Sequence, residues 1–463
     1  MKKRLTLFLL CFSSMLFAQE DLSVLRFDEY LAFVKKYHPI AKQAQLVISE
    51  SEAKLLKARG AFDPKLVLDY NRKKFKGTEY YDKLNTSFKI PTWYGIELKA
   101  NFEEADGVYL NPESTLPEDG LYSAGISFSV AQGLLINKRM ASLKQAKLFK
   151  QQAEADRDII VNNILFEASL VYFNWLKAYN EVNLYQEFLA NAQVRFNGIK
   201  QNVEVGESAA IDAVEARIVV NERALLHEKA KVKFMKATLE LSNYLWLENN
   251  IPVELQDNVI PNVNSEASID DSLNISELAL YDFDVEMHPK VQSLSYKYES
   301  LKIEKRLKAN MLLPKIDLQY NFLSQTPEAT NSFNTANYKS GVTMLFPLFL
   351  RKERGDLKLA KLKMKNTSLD ISLSKLSIKN KVDAIKNELQ SYVVQNDLTA
   401  KMIQDYQQLV AAEERKFTLG ESSLFLVNAR ERKLMDARLK AILLENSYFE
   451  TKAKLFNNLA VSI

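Results

Sequence analysis

One half of this 463-residue chain echoes the other at fixed offsets, and that repetition limits the folds open to it. His38-Pro39 recurs as His288-Pro289, Pro64 as Pro314 and Tyr70 as Tyr320, all 250 residues further on. A later series recurs at an offset of 214. Leu143-Lys144-Gln145-Ala146-Lys147 returns as Leu357-Lys358-Leu359-Ala360-Lys361, Gly206-Glu207-Ser208 as Gly420-Glu421-Ser422, and Leu241 and Leu245 as Leu455 and Leu459. The offset changes only between Tyr70 and Leu143. Rigid elements kept their length while the connections between them did not. A collinear series of this kind points to a tandem duplication.

Both units read alike. A helix comes first, over Phe27 to Phe62 and Glu277 to Leu312. Pro39 and Pro289 mark a kink or a fresh first turn near its start, and Pro64 and Pro314 close it. Strands follow. Leu66, Leu68 and Tyr70 alternate with Val67, Asp69 and Asn71, and Ile316, Leu318, Tyr320 and Phe322 with Asp317, Gln319 and Asn321. The returning strands set Ile126, Phe128 and Val130 against Gly125, Ser127 and Ser129, and Val342, Met344 and Phe346 against Gly341 and Thr343. This period of two fits a barrel facing lipid outside and water inside, and equally a soluble half-buried sheet. Then comes a long helix, about Lys138 to Gln201, with no proline and with Gly198 as its single glycine. It spans roughly 95 Å. After a break at Val205-Gly206 a helix returns to near Leu247. The second unit does the same from Lys352, through Gly420, to Leu459. Only 12 glycines and 11 prolines occur in the chain, as long helices require. The short leading and returning helices, placed end to end, equal the long one, as a wall of long helices and stacked short pairs needs.

The termini and the join carry their own signals. Lys2-Lys3-Arg4, the apolar run Leu5 to Phe17 and Ala18 before Gln19 read as an export signal over residues 1–18. Cys11, the one cysteine, falls inside it, and Leu10 is bulky where a lipoprotein signal wants a small residue. Repeat 1 is assigned to 19–246 and repeat 2 to 277–463. The join, 247–276, holds Pro252, Pro261, six acidic residues and no Lys or Arg, and reads as an exposed connector, free or packed around the outside of a helical bundle. Net charge is +4, three of it in the signal, which gives no footprint for nucleic acid. No phosphate loop, nucleophile elbow or metal-ligand cluster is legible, so neither an enzyme nor a cofactor or metal site is expected.

Four membrane strands per chain cannot close a barrel, and open edges cannot lie in lipid. Helices near 100 Å cannot bury an apolar stripe alone. Both points ask for a homo-oligomer. An export signal followed by two repeats of helix, strands, long helix, glycine turn and returning helix resembles the TolC family of outer-membrane efflux proteins over nearly the whole mature chain. The turn Val205-Gly206-Glu207-Ser208-Ala209-Ala210-Ile211-Asp212 is similar to that family's Val-Gly turn with Asp six residues after the glycine. The second copy keeps Gly420 but has Leu426 at the Asp position. The resemblance implies an α-helical barrel joined to a membrane β-barrel, with about four strands per chain, in a homotrimer with twelve strands and twelve helices. It implies an outer-membrane location with a large periplasmic portion, and passive export in a tripartite efflux or type I secretion system. It also implies a periplasmic adaptor and an inner-membrane pump of the RND, ABC or MFS type. The alternative is a periplasmic or surface coiled-coil protein without a pore.

The same resemblance places the contact with the adaptor at Gly206, Glu207, Ser208, Gly420, Glu421 and Ser422. Acidic residues at two offsets from a tip glycine form cation-favouring rings in the family, usually in the second repeat. Here that repeat offers Leu426 and Ala429, with Asn428 nearby, so the candidate gate is Asp212, Glu215 and Asn428. The bland reading of Asp212 and Glu215 is a favourable charge at a helix N-terminus. Gly206 and Gly420 are expected at positive φ, with Ser208 and Ser422 as helix caps. His38 and His288, each before a proline, are expected to shape a local turn. Residues 79–104 alternate cleanly enough for an extra hairpin, which either lies outside the membrane as an elaborated loop, the favoured place, or enlarges the barrel.

Overall fold

The computed structural model describes residues 23–256, 258–263, 266–275, 283–327 and 335–460. The expected signal segment lies outside them. The leading helix of the first half is two helices, α1 (Phe27–Tyr37) and α2 (Pro39–Arg59). Pro39 opens a fresh first turn, where its missing N–H costs nothing, and His38 caps that turn by accepting from the Ile40 N–H through Nδ1 at 3.2 Å. The long helix α3 (Lys138–Glu204) has 67 residues, about 100 Å. It returns as α4 (Ala210–Ser242), which ends short of Leu247. The join contains α5 (Glu266–Ser272). The second half repeats the plan with α6 (Pro289–Asn310), α7 (Arg351–Thr418) and α8 (Leu424–Leu459). Its leading helix starts at Pro289 rather than Glu277, since residues 283–288 form a turn. Residues 276–282 lie outside the described residues. His288 caps α6 as His38 caps α2, accepting from the Lys290 N–H at 3.1 Å.

The core sits at the waist of the helical body. Phe27, Tyr30, Leu31 and Val34 of α1 pack on Ile164, Leu165, Tyr172, Phe173 and Trp175 of α3, with Leu241 of α4 and Phe449 and Phe456 of α8 closing the cluster. Among the described residues α3 alone is long and apolar enough to cross a bilayer, and half of its apolar window is buried in this core. The join is exposed over most of residues 247–256 and then packs against the helical body. Ile269 and Leu273 are fully buried, Lys452 reaches Asp270 at 2.9 Å, and β6 (Val259–Pro261) pairs in parallel with β1 (Ser23–Leu25). Ile269 on α5 and Leu273 just after it, four residues apart, outweigh the join's acidic composition.

Beyond the opposite end of α3 lies one antiparallel sheet of six strands: β2 (Lys65–Phe75), β3 (Thr78–Pro91), β4 (Ile96–Asp106), β5 (Leu121–Ser129), β7 (Lys315–Ser324) and β8 (Tyr338–Leu345), paired in that order. The expectation of four strands per chain is corrected. Residues 79–104 form β3 and β4 and insert between β2 and β5, so the alternative of added strands fits the sheet and the favoured loop does not. Register explains why. Thr86, Phe88 and Ile90 face the partners Phe102, Ala100 and Leu98, and these meet Tyr122, Ala124 and Ile126. As a free loop the hairpin would carry that apolar face into water.

Candidate functional site

Two glycine turns lie side by side at the end of the helices remote from the sheet. Gly206 has φ 81° and Gly420 φ 78°, the left-handed conformation that glycine adopts without penalty. In each, two N–H groups close the preceding helix. Gly206 donates to the Val203 carbonyl and Glu207 to that of Asn202, at 3.1 and 2.8 Å; Gly420 donates to Phe417 and Glu421 to Lys416, at 3.0 and 2.9 Å. This is a Schellman stop, made twice. Glu207 and Glu421 are exposed. The two serines do not cap. The N-cap of α4 is Ala209, with no side-chain bond, and that of α8 is Ser423. Both expectations were one residue early, because the chain needs one more extended residue to leave the αL glycine. Ser422 instead donates to Glu413 at 2.6 Å, which holds that carboxyl below its usual range.

The structure brings two of the three gate candidates together: the Asn428 amide donates to Glu215 at 3.0 Å, joining α4 to α8. Asp212 stands in the first turn of α4, and among the described residues its carboxylate has no hydrogen bond or ion pair. Sequence reasoning missed the network further up. Arg195 of α3 donates to both oxygens of Glu431 on α8, at 3.1 and 3.2 Å, and to Glu414 of α7 at 2.8 Å. Arg223 of α4 approaches Glu431 at 4.0 Å and donates to the Met435 sulfur. Glu431 and Arg223 are each only 3% exposed. Burial opposes the Arg195 charge, but the two carboxylates outweigh it and its pKa rises; burial prevails at Arg223, whose pKa falls. All four helices are tied at this level.

Also missed was an apolar rim on the turns. Val205, Ile211, Leu419 and Phe425 are 67–70% exposed. They are equivalents at the offset of 214, and that spacing was the signal that could have found them.

The sheet has two unlike faces. One carries Leu66, Leu68, Phe88, Ile90, Leu98, Phe102, Ile126, Phe128, Leu318, Phe322, Val342 and Met344, in register across all six strands. The other carries Asp69, Asn85, Lys89, Lys99, Asn101, Ser127, Gln319 and Thr343. Its helix end borders a cavity of about 570 Å³ lined by Glu97, Lys99, Arg139, Asn310 and Asp317 among others. Among the described residues, strands β2 and β8 are unpaired on their outer sides. At the foot of the sheet Leu135, Leu348 and Phe349 are more than 70% exposed.

Residues 287–460 match the family model described as Outer membrane efflux protein. No curated protein matches the chain. Among solved structures, the chain is similar to the CmeC outer membrane channel of Campylobacter jejuni, with TM-score 0.64 and 14% identity, over 94% of this chain and 85% of that one. It is similar to the outer membrane protein VceC of Vibrio cholerae (0.63, 11%, 94% and 96%). It is also similar to the MtrE outer membrane channel of Neisseria gonorrhoeae (0.64, 13%, 94% and 89%). The resemblance read from the sequence stands, and at these identities the likeness is one of fold.

Proposed function

We propose that this chain is a subunit of an outer-membrane efflux channel, in which three copies close one barrel of eighteen strands on a periplasmic tube of twelve helices. The observation that carries the reading is the six-stranded sheet: one face is an apolar band from its helix end up to Leu68, Thr86 and Phe102, beyond which stand Arg72, Asp82, Glu104 and Asp106, and among the described residues both edges are unpaired. Such a face belongs against lipid, and in lipid the edges must pair with further copies. Strands of 8 to 14 residues match the length a tilted membrane strand needs. The exposed Leu135, Leu348 and Phe349 would then lie at the membrane boundary.

Geometry supports eighteen strands over twelve. Each chain supplies four staves to a tube: α3, α7 and two stacked pairs of shorter helices. Twelve helices packed side by side have a circumference of roughly 115 Å. Eighteen strands spaced at about 4.8 Å and tilted near 40° give about the same. Twelve strands would give about 75 Å and force a taper at the junction.

The glycine turns then form the periplasmic tip. The apolar quartet Val205, Ile211, Leu419 and Phe425, with Glu207 and Glu421 between, suits docking of an adaptor, and beyond it an inner-membrane pump. Glu215 and Asn428, with Asp212, would line the entrance. Imaging of detergent-extracted protein tests the assembly. Hollow three-fold cylinders with a tail near 100 Å and conductance in planar bilayers are expected; solid rods or compact monomers would refute the channel.

A further inference from the structure

Lys65, Lys89 and Lys99 stand directly opposite one another on β2, β3 and β4. The same cross-strand row continues through Gly125 and Asn321 to Lys339 on β8. Four of its six positions are therefore lysine and none is acidic. Like charges placed directly across a ladder destabilise it. Edge lysines discourage stray strand pairing, which accounts for Lys65 and Lys339. Lys89 and Lys99 lie on interior strands, where that explanation fails.

No neighbouring acid neutralises the row. The next row on one side is Val67, Ser87, Asn101 and Ser123. On the other side Glu97 is engaged by Arg139 at 2.8 Å, and Asp317 by Lys315 at 2.9 Å and by the Ser129 hydroxyl. Lys99 is within electrostatic reach of Asp317 only as a second cation. Among the described residues none of the four ammonium groups has an ion pair or hydrogen bond. All four share the polar face, opposite Leu66, Phe88, Leu98 and Val342. The row starts at the helix end of β2 and finishes at the far end of β8, so in a closed barrel of tilted strands it climbs the inner wall.

We propose that this row is an anion-binding ladder in the pore, which draws solutes carrying phosphate, sulfate or carboxylate groups through the barrel. The proposal rests on the channel reading and names the cargo class for it. Three copies set twelve lysines along the path, at stations a multivalent anion can occupy in turn. Weak, repeated sites of this sort allow entry without trapping.

The test is a planar-bilayer recording of the full assembly across a KCl gradient, with the wild type, K65Q/K89Q/K99Q and K65R/K89R/K99R. The glutamine variant should fold, since it relieves repulsion. Its chloride-to-potassium permeability ratio is expected to fall about two-fold or more, as local anion concentration drops, while the arginine variant keeps the wild-type ratio. Inorganic tripolyphosphate is expected to block the wild-type and arginine channels and to lose that effect in the glutamine variant. Conducting channels with the same ratio and the same block in all three proteins would overturn the ladder and leave the channel standing. Absence of conductance in the wild type would overturn both.

Discussion

Replacing Glu431 with glutamine keeps the volume of that side chain and removes the charge on which two arginines converge. Arg195 would retain Glu414, whose carboxylate is half in solvent. Arg223 would retain the Met435 sulfur, the Phe188 ring 6.0 Å from its guanidinium and the weaker pull of Glu222 and Asp436, and its Nε has no hydrogen-bond partner among the described residues. An uncompensated charge at 3% exposure is the costly case: breaking a buried pair from one side costs about 3–5 kcal/mol. The remaining Glu414 contact puts the expectation at the lower end, near 3 kcal/mol. Urea unfolding of the purified protein in detergent, followed by far-UV circular dichroism, reads it out. The double variant E431Q/R223M supplies the control. Removing the stranded cation should restore most of the loss, since apolar replacements of buried pairs are close to neutral. A loss under about 1 kcal/mol for E431Q, the range of exposed pairs, would refute the reasoning, as would a double variant no better than the single.

The buried His288 makes stability depend on pH. It must be neutral to accept from Lys290, and burial pushes its pKa down to about 4. As pH falls through 6.5 the unfolded chain takes up this proton first, so stability is complete above 6.5 and falls by roughly 2–3 kcal/mol towards pH 4; H288N, which keeps a capping oxygen, should lose that slope, and identical slopes would count against it. The inserted hairpin makes a face-specific prediction: F88K puts a charge against lipid at about 2–4 kcal/mol and should lower the yield of assembled protein, whereas N85K, exposed on the other face opposite Asp69 and Glu103, should not, and equal yields would return the hairpin to an outside loop. For the tip, D212N/E215Q should reduce cation preference in bilayer recordings. An unchanged preference would leave these carboxylates as helix-end charges worth under about 1 kcal/mol.

What could be read from the residues was what local chemistry decides. His-Pro pairs announce a capped first turn, a glycine after a long helix announces a left-handed stop, and period-two alternation announces a strand; each needs only neighbours a few positions away. The doubling of these signals at offsets of 250 and 214 carried the plan of the molecule. The same alternation in Leu84, Thr86, Phe88 and Ile90 is shared by a loop hairpin and a sheet strand, so its place between β2 and β5 depended on which edges it could pair with. The buried join behaved likewise, since Ile269 and Leu273 needed α1 and α3 to pack against. Arg195 and Glu431 lie 236 residues apart, and Lys65, Lys89 and Lys99 form a row only once three registers are set. Those contacts belong to the pairing of distant elements. That pairing follows from how much apolar surface and how many backbone groups the whole fold satisfies, which no short window of sequence contains.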